Sequence, residues 1–211
     1  MTKRTLVVAL LSVVLLADLR GQSSLQMTEL TGRPTASSVT INTRANAAIE
    51  IYYEYGRASA TYDTAMPARA VASGEPIETT LTGLVADATY YYRARYRTAG
   101  SSAEFSTGPE HTVATQRRPG STFTFAAQGD SHPEREQTMF NGELYARTLR
   151  AAAAEHPDFY LTSGDDFSVD TLRAYSKSTV EERYLLQLPY LSQVGAPVFL
   201  VNGNHEQAAR Y

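Results

Sequence analysis

Thr122-Phe123-Thr124-Phe125-Ala126-Ala127-Gln128-Gly129-Asp130-Ser131-His132 decides how the second half of the chain is read. A β-rich run from Thr122 to Ala127 stops at a glycine and delivers an aspartate and a histidine just beyond it, as a buried strand does when it ends in a tight turn. Two later segments end the same way. Phe159-Tyr160-Leu161 enters Ser163-Gly164-Asp165-Asp166, and the apolar run Pro197 to Val201 enters Asn202-Gly203-Asn204-His205-Glu206. Asp130 and Asp165 are 35 residues apart and Asp165 and Asn204 are 39 apart. Each interval holds one strand–helix–strand crossover, which takes about 30 residues or more. Right-handed crossovers bring successive parallel strand ends to one edge of a sheet, where ligands of open α/β sheets bind. Carboxylate, imidazole and amide oxygen gathered at such an edge suit Mn, Fe or Zn better than Ca or a thiolate-seeking metal.

The intervening segments read as helices. Residues 137 to 155 place Phe140, Leu144, Tyr145, Leu149 and Ala152 on one face, with His156 in the last turn and Pro157 as the stop. Ser178-x-x-Glu181 predicts a capping box for a second helix that buries Val180, Tyr184, Leu185, Leu188 and Leu191, with Pro189 kinking or splitting it. The alternation predicts a parallel sheet covered by helices.

Upstream, from Gln26 to Thr115, the period is two. Ile49, Ile51, Tyr53 and Tyr55 alternate with Glu50, Tyr52 and Glu54, and Tyr90, Tyr92, Ala94 and Tyr96 alternate with Tyr91, Arg93, Arg95 and Arg97. Val39 and Ile41, then Ile77, Thr79 and Leu81, repeat the pattern. Short alternating strands between turn clusters predict an antiparallel sandwich. Leu81-Thr82-Gly83-Leu84 followed by Thr89-Tyr90-Tyr91-Tyr92-Arg93 resembles the fibronectin type III turn into its penultimate strand. That resemblance implies that Tyr90 hydrogen-bonds back to the turn. Half the tyrosines alternate inward, which favours packing over a carbohydrate or partner platform. Gln116-Arg117-Arg118-Pro119-Gly120-Ser121 reads as the junction between the two patterns.

The chain opens with Lys3 and Arg4 before an apolar run from Leu6 to Ala17, the pattern of a secretory signal covering residues 1–21. No A-x-A triplet follows, and a retained N-terminal anchor is the alternative. With no cysteine, a lipid-modified Cys anchor, a disulfide framework, thiolate metal sites and a Cys nucleophile are all excluded. The formal charge of −3 becomes −5 once the signal, with three bases and one acid, is removed. A chain of that charge with no basic run is not a nucleic-acid backbone binder.

The three strand-end motifs, taken in order, make residues 122–211 resemble the calcineurin-like metallophosphoesterase superfamily, whose pattern is D-x-H, then G-D, then G-N-H-[DE]. With a fibronectin-like module in front, the chain looks like the purple acid phosphatase branch. The resemblance implies two metal ions, divalent or of mixed valence (Fe, Mn or Zn). Asp130 and His132 would bind one ion, Asp165 would bridge both, and Asn204 would bind the second through its amide oxygen. His205 would act on the phosphoryl oxygens or the leaving group. The branch's metal-binding tyrosine, three residues after the bridging aspartate, is replaced by Ser168, so no ferric tyrosinate colour is expected.

The family completes its site with histidines from later strands, ending in a G-H-x-H element. This chain has four histidines: His111 in the sandwich, His156 at a helix end, His132 and His205. The expectation is therefore a secreted or periplasmic phosphoesterase given in incomplete form. Its parts are a signal (1–21), a fibronectin type III-like domain (22–116) and the first half of an α/β metallophosphoesterase domain (117–211). As written, the chain is not expected to be a competent enzyme. It takes a phosphate-ester substrate and keeps no membrane anchor after cleavage. The alternative is a secreted adhesion protein that works through its sandwich, beside an inactive α/β scaffold.

Overall fold

The computed structural model describes residues 25–136 and 138–207. The signal expected at 1–21 lies outside the described residues. Among the described residues no helix is long and apolar enough to cross a membrane.

The period-two region forms β1 (Met27–Gly32), β2 (Ser38–Ala45), β3 (Ile49–Gly56), β4 (Thr64–Ala65), β5 (Arg69–Val71), β6 (Pro76–Thr82), β7 (Thr89–Thr98) and β8 (Ser106–Ala114). One antiparallel sheet has the order β1-β2-β6 and the other β4-β3-β7-β8, with β5 also on β3. The alternation decides which side chains meet between them. Val39, Ile41 and Leu81 of the first sheet share one buried core with Ile49, Ile51, Tyr53, Tyr92, Ala94 and Val113 of the second. Each such side chain contributes about 1.5–3 kcal/mol on leaving water. On the outer face, Arg93 and Arg95 pair with Glu54, and Arg97 with Glu50. The Val85 amide donates to Tyr90 Oη (3.0 Å), closing the corner expected there.

The second region forms β9 (Phe125–Gln128), α1 (Gly142–Ala154), β10 (Phe159–Thr162), α2 (Lys177–Leu191), β11 (Val198–Phe199) and α3 (Asn204–Gln207). The three strands are parallel in the order β11-β10-β9, with Tyr160 opposite both Ala126 and Val198. Tyr160, Leu149, Leu191, Val194 and Ala196 form the core beneath the helices.

Several boundaries differ from the sequence reading. α1 starts later, because Asn141 caps it by accepting from the Leu144 amide (2.9 Å) and a 3₁₀ turn at Pro133–Arg135 precedes it. Leu144 then falls on the exposed side, while Leu149 points inward. His156 lies one residue past the C-cap Glu155 with φ 49°, turning the chain out of the helix. The cap of α2 is Ser176 with Thr179, because Glu181 reaches instead to Arg44 on β2. Val180, Tyr184 and Leu185 are half-buried there, and Gln187 is buried with Leu188 and Leu191. Pro189 lies in the last turn and removes the amide that would bond to the Leu185 carbonyl, yet α2 runs through it to Leu191 without splitting. β11 is short, because beyond Phe199 the Val201 amide donates to Thr162 Oγ1 (3.3 Å) rather than to the ladder.

The junction is pinned rather than slack. Arg117 pairs with Asp87 of the sandwich (2.8 Å) and Asp158 ahead of β10 (2.7 Å). Leu30 of β1 packs into the α/β core. The opposite face of the parallel sheet is uncovered among the described residues: the Phe125 and Phe159 rings stack at 5.2 Å and Phe125 is 51% exposed, with Phe123 and Phe199 beside them.

Candidate functional site

The three strand tips meet. The Asp130 amide donates to the Gly164 carbonyl (3.1 Å), and the Ser163 amide to the Gln128 carbonyl (2.7 Å). A Cβ on Gly164 would stand 2.5 Å from Gly203 Cα, and one on Gly203 would stand 2.5 Å from the Asp165 amide nitrogen. Glycine at these two places lets the second and third tips touch, and Gly164 also holds φ 97°. Asp130 (φ 64°), His132 (47°) and Asp165 (55°) adopt the left-handed region too. Asp and His tolerate it better than most side chains, at a cost of about 1 kcal/mol or more each.

Glu206 ties the tips together. Its carboxylate accepts from the amides of Asp165 (3.0 Å), Asp166, Phe167 (3.2 Å) and Gly203 (2.7 Å). The His205 amide donates to Asp165 Oδ1 (2.9 Å). Asp166 points into the layer, next to Gln128 and Ser131. Burial raises its carboxyl above the usual range, and hydrogen bonds from Thr162 and Gln128 partly offset that.

Asp130 and His132 are brought to ligand spacing. His132 Nε2 lies 3.0 Å from Asp130 Oδ1. That nitrogen is buried and makes no hydrogen bond, so the approach to the carboxylate lies off the line a hydrogen bond needs. Nitrogen and oxygen donors each about 2.1 Å from one ion, at right angles, stand about 3.0 Å apart. The pair therefore fits adjacent ligands of one metal. Asp165 and Asn204 stand on the neighbouring tips, with Asn204 exposed as the first residue of α3. Among the described residues, no three His, Asp or Glu side chains converge as a metal-holding group.

The His205 ring stands edge-on to His132, with centroids 5.1 Å apart, and its Nδ1 lies 2.9 Å from Asp170 Oδ2. Sequence reasoning missed Asp170, the clamp by Glu206, and two groups behind His132. Glu134 Oε1 and Ser168 Oγ each lie 3.1 Å from His132 Nδ1. A carboxylate two residues after a candidate ligand was the one available signal for Glu134. Ser168 carries none, because its role depends on a fold contact 36 residues away.

Fold and site together define an antiparallel sandwich followed by a parallel α/β layer whose strand tips gather acidic and imidazole groups. No protein-family model matches this sequence, and no curated protein matches it. Among solved structures, PhoD aligns with 84% of this chain at a TM-score of 0.60 and 16% identity. A purple acid phosphatase from yellow lupin (Lupinus luteus) seeds aligns over 84% at a TM-score of 0.59 and 14% identity. The chain has the fold of the corresponding parts of both proteins. It spans 38% of the first and 35% of the second.

Proposed function

We propose that this chain is the leading part of a metal-dependent phosphoesterase that works outside the cytoplasm and hydrolyses phosphate esters. The observation that carries the reading is the buried, unpartnered His132 Nε2 beside Asp130, at the meeting point of three strand tips. The fold shared with a purple acid phosphatase supports it. Asp130 and His132 would hold one ion, Asp165 would bridge to a second, and Asn204 would bind that second ion. A two-metal centre supplies a deprotonated water at neutral pH and charge for the phosphoryl oxygens.

The chain's own residues supply orientation. Asp165, fixed by the clamp from Glu206 on its backbone, presents its carboxylate at the middle tip. Asp170 Oδ2 lies 2.9 Å from His205 Nδ1 and would hold the ring's orientation, leaving Nε2 to face the leaving oxygen. Ser168, buried under His132, supplies no phenolate, in keeping with a colourless centre. Two packed antiparallel sheets, of three and five strands, and the Tyr90 corner support a fibronectin type III-like module at 22–116, with the α/β domain from 117.

The bare phenylalanine face supports a longer catalytic domain, since parallel sheets are normally covered on both sides. Further histidine ligands would come from that part, so hydrolysis is not expected from residues 22–211 alone. The adhesion reading is weaker, because the outer arginines of β7 are already paired within the sheet.

The test is metal uptake. Residues 22–211 are loaded with Mn²⁺ or Zn²⁺, dialysed and analysed for bound metal, alongside Asp130→Asn and His132→Ala. The expected result is weak retention by the parent, which lacks the further ligands, and still less metal in both variants. Equal retention by all three would overturn the assignment.

A further inference from the structure

We propose that Glu134 is a positioning residue that fixes the tautomer of His132, so that the Nε2 lone pair faces Asp130 before any ion arrives. The inference rests on the metal-site reading for its purpose, but not for its geometry.

Glu134 sits in the 3₁₀ turn directly after His132, and its side chain is only 3% exposed. A carboxylate that deep is rarely kept without partners. One oxygen is well used: Oε1 accepts from the Ser168 amide (2.9 Å) and lies 3.1 Å from His132 Nδ1. The other, Oε2, is buried without a hydrogen bond. Packing alone would favour an apolar side chain here, because an unsatisfied buried oxygen is costly.

A carboxylate oxygen can only accept, so the contact with Nδ1 requires the proton to be on Nδ1. Ser168 Oγ faces the same nitrogen at 3.1 Å and itself accepts from Arg135 Nη2 (2.7 Å). That arginine adds positive charge beside Glu134, with Nε 3.7 Å from Oε1. In the neutral ring the proton on Nδ1 leaves Nε2 as a lone pair, and Nε2 is the buried atom without a hydrogen bond, 3.0 Å from Asp130 Oδ1. Two electron-rich atoms held that close repel unless a proton or a metal cation sits between them, and in the neutral Nδ1–H ring only the cation remains. Carboxylates behind metal-binding histidines hold ring orientation in this way, and losing one typically weakens metal binding about 10–100-fold.

The test uses residues 22–211 in two measurements. Nitrogen-15 NMR of the metal-free protein, at a pH where the imidazoles are neutral, reports the His132 tautomer. Calorimetry with Zn²⁺ reports affinity. The parent is expected to carry its proton on Nδ1, Glu134→Ala to lose that preference and bind Zn²⁺ about 10–100-fold more weakly, and Glu134→Asp to recover part of both. Glu134→Gln, which keeps the volume, separates packing from proton control: its amide can donate to Nδ1 and is expected to shift the proton to Nε2. A purely structural Glu134 would lower the melting temperature and leave the tautomer unchanged. The inference is overturned if the parent carries the proton on Nε2, or if Glu134→Ala and Glu134→Gln keep the parent tautomer. If the parent binds Zn²⁺ no more tightly than His132→Ala does, the metal reading falls, and the tautomer still decides the role of Glu134.

Discussion

The sandwich and the α/β layer treat burial differently. Between its two sheets the sandwich hides Val39, Ile41, Leu81, Ile51 and Tyr53 from both sides, and among its described polar side-chain atoms only Arg95 Nε is buried without a hydrogen bond. Glu29, for instance, accepts from Tyr53 Oη and lies 3.3 Å from His111 Nε2. The α/β layer leaves one sheet face bare and holds both His132 Nε2 and Glu134 Oε2 buried without hydrogen bonds. The first region is settled by its own contacts. The second stores unsatisfied groups and left-handed backbone at one edge, as functional sites do.

Substitutions can break or sharpen that contrast. The largest effect is expected from Leu81→Ala, which empties a fully buried position in the sandwich core. It should cost about 2–5 kcal/mol in urea unfolding. A loss below about 1 kcal/mol would mean that the two sheets do not share a tight core.

Gly164→Ala is the matching change at the strand tips. The new Cβ meets the Gly203 backbone and the left-handed φ is strained for alanine, so about 1–3 kcal/mol is expected. Its signature should be local: faster hydrogen exchange at the Asp165 and Gly203 amides, with β2 and β3 amides unchanged. Uniform acceleration would show that the two regions unfold as one unit.

The smallest effect is expected on the bare face. Phe125→Lys removes a half-exposed ring and should change stability by less than about 1 kcal/mol in urea unfolding. A large destabilisation would mean that this face is covered in solution.

Legibility follows the same division. The alternation in β3 and β7 was readable because strand side chains repeat every two residues, so one face can be assigned without knowing the partner. The strand tips were readable because Gly129-Asp130, Gly164-Asp165 and Gly203-Asn204 each follow an apolar run. The cap of α2 was misplaced because the fate of Glu181 depends on Arg44, 137 residues earlier. Gln187 looked like an ordinary polar residue of α2, yet its Nε2 donates to Ser131 Oγ (2.8 Å) and Tyr145 Oη (3.1 Å), and both partners lie on other elements.

By itself the sequence determined the order of the layers, the inward set of four sandwich strands (β2, β3, β6 and β7) and the candidate ligands Asp130, His132, Asp165 and Asn204. Local periodicity and turn chemistry act over a few residues and leave their mark there. Only the tertiary structure decided that Glu206 binds four amides of two tips, that Glu134 and Ser168 stand behind His132, and that one face of the sheet is bare. Those arrangements depend on distances between residues far apart in the chain, and such distances exist only once the crossovers have brought the strand ends together.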